Sequence, residues 1–156
     1  MTTVFSSPAN HAHGPRGFTM LELLLAVLVI AILATVAYPS YQDQVRKGRR
    51  SDAVSALGAL QLAQERYRSS NTSYAPSVQA LGRAGVSEGG HYELAVRSAT
   101  ESSYQLVATA MSSSSQSEDT ACVQMAIVYS EGSTQYMAAA AGATLSADAN
   151  RRCWPL

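Results

Sequence analysis

The chain is short of the side chains that do chemistry. Histidine occurs three times. His11 and His13 lie ahead of Gly17 with no carboxylate among them, and His91 has neither a nucleophile nor an acid beside it in sequence. No phosphate-cradling glycine loop, nucleophile elbow or metal-ligand cluster is present, so the sequence offers no catalytic, cofactor-binding or metal residue and reads as a non-enzyme. Formal net charge is +0, from 11 basic and 11 acidic residues. That balance argues against strong nonspecific attraction to nucleic acid. Acid is missing altogether from Met1 to Gly17, which also lacks an apolar core of its own.

After Gly17 comes a nearly unbroken apolar run. Between Phe18 and Tyr38 only Thr19, Glu22 and Thr35 interrupt it. As a helix this run is about 31 Å long, against a bilayer core of roughly 30 Å, so it can span a membrane. An ordinary secretory signal carries its apolar region before the cut. A cut at Gly17 would instead leave that region on the mature protein.

Glu22 is expensive in such a segment, although near its end it costs less than at the bilayer centre. One reading is a first-turn glutamate favoured by the helix dipole at the membrane interface. The other is that Glu22 seeks a cation. Cutting after Gly17 would create one, the Phe18 ammonium, either on the same chain or on a neighbour.

Beyond Tyr38 the helical pattern turns amphipathic. Ala53, Leu57 and Leu60, with Val54 and Tyr67, share one side, while Arg49, Arg50, Gln61, Gln64, Glu65 and Arg68 fill the other. A helix from Phe18 to about Ser69 would measure about 78 Å. Pro39 removes one backbone bond from it, and Gly48 and Gly58 weaken it. The cluster Arg46-Lys47-Gly48-Arg49-Arg50 reads as a solvated face or as side chains snorkelling toward lipid head groups. Counted naively, it would keep the remainder of the chain cytoplasmic.

From Ser69 to His91 periodicity gives way to a connecting loop. Asn71-Thr72-Ser73 matches a glycosylation acceptor in form but reads as a polar turn, with Tyr67 and Tyr74 packing around it. Alternation then marks strands at Tyr92–Arg97, Tyr104–Ala110 and Val123–Tyr129, with a weaker one at Thr134–Ala139 after the Glu131-Gly132-Ser133 turn. Short links favour an antiparallel meander with the Ala53–Tyr67 helix on one face. The serine-rich, acidic stretch Ser112–Thr120 reads as a mobile hairpin loop.

Cys122 and Cys153 are the two cysteines. In an oxidising compartment they pair, closing a loop of about 30 residues worth roughly 3–4 kcal/mol; in a reducing one they are two buried thiols. Pairing would fasten Asn150–Leu156 to the third strand and give Trp154 a place to pack.

The stretch Gly17-Phe18-Thr19-Met20-Leu21-Glu22-Leu23, with the apolar run behind it and Pro39 closing it, resembles the class III signal of the type IV pilin superfamily. Gln64-Glu65-Arg66-Tyr67, Tyr74, Leu81-Gly82, Asp119-Thr120-Ala121-Cys122 and Cys153-Trp154 resemble the PilE and ComP-like minor pilins. The resemblance implies an α+β pilin fold, a long N-terminal helix packed on an antiparallel sheet of about four strands. It implies a leader over 1–17, a transmembrane or filament-core helix over 18–38, an amphipathic continuation over 39–69, and a loop, sheet and disulfide-bounded region over 70–156. Prepilin peptidase would cut between Gly17 and Phe18 and methylate the Phe18 amine. Glu22 would then pair with the Phe18 terminus of an adjacent subunit. Pilins that unwind before the proline often carry glycine where this chain has Ala31, so a continuous helix is expected here.

The function so implied is that of a structural subunit of a type IV pilus, a minor pilin. Its partners would be other pilin subunits, prepilin peptidase, the inner-membrane assembly platform and membrane lipid. It would sit in the bacterial inner membrane with a periplasmic C-terminal domain, then on the cell surface. The alternatives are a type II secretion pseudopilin, against which the cysteine pair argues, and a receptor pilin for DNA uptake. In the last case Arg97, Arg151 and Arg152 are the candidate DNA contacts.

Overall fold

In the computed structural model residues 17–154 are described; the expected leader, apart from Gly17, and the last two residues of the expected C-terminal tail lie outside them. The chain divides into two compact units, Met1–Tyr38 and Pro39–Leu156.

One helix, α1 (Met20–Arg68), runs through both units in sequence. It is unbroken between Leu23 and Tyr38, as alanine at position 31 predicts, and Pro39 lies inside it without ending it. Its start is set locally: Thr19 Oγ1 accepts from the Glu22 backbone N–H at 3.2 Å. Thr19 followed three residues later by Glu22 has the spacing of a capping box, of which only the Thr19 half is formed, satisfying one donor of the first turn. In the first unit the apolar side chains from Phe18 to Tyr38 are exposed.

The second unit is α+β. Four strands, β1 (Tyr92–Ala99), β2 (Ser103–Ala110), β3 (Gln124–Ser130) and β4 (Ser133–Ala139), form one antiparallel meander in the order β1-β2-β3-β4. A short helix, α2 (Asn150–Cys153), follows. The register places Leu94 opposite Ala108, Leu106 opposite Ile127, and Met125 opposite Ala138. That apolar row meets Ala53, Leu57 and Leu60 of α1 in a single core. Alternation thus selects the face that the helix covers. On the opposite face Val107 and Ala126 are also buried, in register with Ala95 and Met137. The β3–β4 turn has positive φ at both Glu131 (50°) and Gly132 (85°), the backbone a two-residue hairpin requires.

Two features depart from the sequence reading. Gln64, expected on the polar face, is fully buried. Its amide donates to Ala75 O at 2.9 Å and accepts from Ala75 N at 2.8 Å, so both polar ends are satisfied and the 74–78 segment is fixed to α1. The 112–120 stretch, expected as a mobile loop, instead forms a 3-10 turn at Ser115–Glu118 with Gln116 and Asp119 buried. Its acids find the basic cluster of α1, a partnership between distant segments that local composition does not encode.

Candidate functional site

The processing and assembly segment lies in the first unit. Phe18 is 83% exposed, and Gly17 and Glu22 are exposed as well. The Glu22 carboxylate has no partner among the described residues, while its backbone N–H is taken by Thr19. Glu22 thus stands at the head of an exposed apolar helix that is long and apolar enough to cross a membrane. Thr19 was missed in the sequence reading. The spacing Thr19-x-x-Glu22 was the signal that could have found it.

The basic cluster at the other end of this helical run is not a free cationic surface. Arg50 Nε donates to Asp119 Oδ2 at 2.8 Å and Nη2 to Oδ1 at 2.9 Å, a bidentate pair in which the side chains are 11% and 5% exposed. Arg50 Nη1 donates to Arg152 O at 2.6 Å, tying α2 to α1. Arg46 pairs with Asp43 and Glu118, and Arg49 donates to Ser115 Oγ. Gln116 Nε2 completes the clamp by donating to Arg46 O and Asp119 Oδ2. The expected snorkelling or solvated face therefore describes Lys47, which is exposed, but not Arg46, Arg49 or Arg50.

Cys122 and Cys153 form a disulfide with a sequence separation of 31. It fastens α2 beside the start of β3. Trp154 Nε1 donates to Met137 O at 3.0 Å, and its ring lies 4.8 Å from that of Tyr136. The clamp and the disulfide thus hold the same C-terminal segment from two sides.

The candidate DNA contacts are not brought together. Arg97 is exposed at a register irregularity between Val96 and Ser98 of β1. Arg151 and Arg152 are exposed on α2, which packs against β4. β1 and β4 are opposite edges of the sheet. With strands roughly 4.8 Å apart, Arg97 and the α2 arginines belong to separate surfaces. His91 sits just before β1, with Nδ1 3.0 Å from Ser114 Oγ. Among the described residues no group of His, Cys, Asp or Glu side chains is arranged to hold a metal ion.

Tyr74 and Tyr129 are 5.7 Å apart, and both contact Tyr104, at 4.7 Å and 5.1 Å. The Tyr104 hydroxyl donates to Glu65 Oε1 at 3.3 Å, and Arg68 lies 5.9 Å from the Tyr74 ring centre. Burial pushes the Tyr74 phenol up to about 12, and burial followed by the nearby Glu65 carboxylate raises Tyr104 further. Tyr92 is likewise raised to about 12, by burial and then by Asp119. Phenols raised in this way are protonated at neutral pH and pack as neutral rings.

Comparison with known proteins covers both units. Residues 39–126 match the family described as "Type IV minor pilin ComP, DNA uptake sequence receptor". Residues 13–38 match the prokaryotic N-terminal methylation motif. Among individual relatives, a "Fimbrial protein EcpC" of Eikenella corrodens is 32% identical over 94 residues, which is 60% of this chain and 61% of that protein. A "Fimbrial protein" of Pseudomonas aeruginosa is 44% identical over 50 residues, 32% of each chain. A "Type II secretion system core protein G" of Dickeya chrysanthemi is 31% identical over 67 residues, 43% of this chain and 44% of that one. The chain thus spans 61% or less of the length of these relatives.

Proposed function

We propose, since this chain belongs to the type IV minor pilin ComP family, that it is a structural, non-catalytic subunit of a type IV pilus and a minor pilin within it. The observation that carries this reading is the exposed apolar half of α1, capped at Thr19 and headed by Glu22, whose carboxylate has no partner among the described residues, joined in sequence to a separately cored head unit. Burying that surface needs a bilayer or neighbouring helices, and a filament subunit has each in turn.

In this reading prepilin peptidase cuts between Gly17 and Phe18 and methylates the Phe18 amine. The mature subunit waits in the bacterial inner membrane with its C-terminal unit in the periplasm. At the assembly platform Glu22 meets the Phe18 ammonium of an adjacent subunit, a pair strengthened by the low dielectric of the filament core. The disulfide agrees with an oxidising compartment outside the cytoplasm.

Glu22→Ala tests the pairing. Membrane levels should match wild type while the amount in sheared filaments falls about tenfold or more. Undiminished incorporation would refute the pairing.

A second reading, a receptor pilin for DNA uptake, is favoured by the description of the matching family. Arg97, Arg151 and Arg152 would supply phosphate contacts, but from separate edges of the sheet. Salt-dependent retention of the full-length protein on duplex DNA, weakened in Arg97→Ala or in Arg151→Ala/Arg152→Ala, supports it. Absence of retention at low salt removes it.

A further inference from the structure

Two cations that the Arg50–Asp119 clamp leaves free border an open notch between α1 and α2. The notch, about 510 Å³, lies within the Pro39–Leu156 unit and is lined by Lys47 and Gly48 of α1 and by Arg152, Cys153 and Trp154. Lys47 and Arg152 are exposed, and neither charged group has a partner among the described residues. The Arg152 carbonyl accepts from Arg50, which fixes this end of α2 against α1.

No carboxylate lines the notch. Those around it are engaged: Asp43 and Glu118 hold Arg46, Asp119 holds Arg50, and Asp52 accepts from Ser87 Oγ and Gly89 N. Asp148, just ahead of α2, is exposed and forms no ion pair with Arg151 or Arg152 among the described residues.

The floor is apolar. Trp154 Nε1 donates to Met137 O at 3.0 Å, so the polar tip of the indole is taken up by β4 and its ring carbons are left to the notch. Gly48 opens the α1 wall. A Cβ there would meet nothing within 4 Å, so packing does not demand this weaker helix former. An apolar floor bordered by two unpaired cations suits an amphiphile with an anionic phosphate.

The place of the notch along the chain selects among such ligands. Along α1, Lys47 stands about 12 Å beyond Pro39, which directly follows the apolar run. The polar zone of one leaflet extends roughly 5–8 Å past the hydrocarbon core, and long basic stems reach across the difference. Cations just outside a membrane span attract anionic lipid headgroups. Duplex DNA would instead ask for a row of phosphate contacts, and Arg97 lies at the far edge of the sheet.

We propose that the notch holds the headgroup of an anionic phospholipid, with Lys47 and Arg152 on the phosphate and Gly48 and Trp154 against the glycerol. The inference rests on the pilus-subunit reading and deepens its membrane stage: the lipid ties the head unit to the bilayer while the subunit waits, and is released when the subunit leaves for the filament.

Trp154 is the one tryptophan of the chain, so its emission reports on the notch. Full-length protein in nonionic detergent is titrated with short-chain phosphatidylglycerol, short-chain phosphatidylcholine, glycerol phosphate and a short DNA duplex. Native mass spectrometry, after exchange into an equimolar mixture of the two lipids, gives the lipid retained. Phosphatidylglycerol should change the emission saturably and be retained, and phosphatidylcholine should do neither. Lys47→Gln/Arg152→Gln should raise the half-saturating concentration about tenfold or more. Gly48→Leu, which the open space accommodates, should block binding with both cations in place. Arg97→Gln should change nothing. Equal binding of phosphatidylcholine, no retained phosphatidylglycerol, or binding indifferent to these notch variants overturns the proposal. Saturation by glycerol phosphate at the same concentration makes the notch a site for free phosphate, and saturation by the duplex alone makes it a nucleic-acid site; either result overturns it as well. Selective lipid binding by a protein that sheared filaments lack would leave the site standing and sink the pilus reading, whereas a protein that enters filaments without this selectivity would do the reverse.

Discussion

Asp119 holds two nitrogens of Arg50 in a site where neither side chain is more than 11% exposed. Removing one member of such a pair leaves the other buried and unmatched, which costs more than the pair itself contributes. Asp119→Ala should therefore lower the unfolding free energy of the detergent-solubilised protein by about 3 kcal/mol. A loss below about 1 kcal/mol would mean that water or Glu118 compensates. Tyr92 presents the opposite case. Its hydroxyl and Gln116 Oε1 are both buried, and among the described residues neither has a partner in hydrogen-bonding geometry. Tyr92→Phe should accordingly change stability at neutral pH by less than about 1 kcal/mol. At this scale the sequence was legible where the pattern is local, as in the N-terminal methylation motif over residues 13–38. It was silent about Gln64, Glu118 and Asp119, whose partners lie many residues away.

At the scale of elements, alternation located the strands to within a residue or two, because each turns one face to the core, although Val107 of β2 and Ala126 of β3 are buried on the other face as well. The bounds of α1 were readable from its period and from the loss of period after Ser69. The 112–120 loop was misread because serine and acid in a turn look the same whether solvated or clamped to a distant arginine cluster. Removing the staple that holds α2, by Cys122→Ser/Cys153→Ser, should cost about 3–4 kcal/mol on the chain-entropy model and free that helix. Intact retention of Trp154 fluorescence and an unchanged Tm would contradict it. Stability should also depend on alkaline pH. The folded-state values of Tyr74 and Tyr92 are about 12 against 10.0 for the free side chain, and Tyr104 is also raised. Groups raised in the folded state contribute their full stability below pH 10 and lose it as pH climbs from about 10 toward 12. Thermal stability should therefore fall steeply over that window, with a shallower slope in Tyr92→Phe. A Tm that is flat from pH 9 to 12 would rule this out.

At the scale of the molecule, two units with opposite surface character share one helix. The first buries none of its apolar span among the described residues, while the second has its own core of helix on sheet. Among the described residues the apolar span of the first unit is exposed, and that is what makes assembly the economical account of it. Family membership was legible from the N-terminal motif. The absence of one shared basic patch was not, because it depends on β1 and β4 being opposite edges. The most direct test of the central claim is mass spectrometry of this protein recovered from sheared filaments. The account predicts an N-terminal peptide that begins at Phe18 and carries one added methyl group. Recovery of the protein only in membranes, or with its N-terminus still ahead of Gly17, would contradict it.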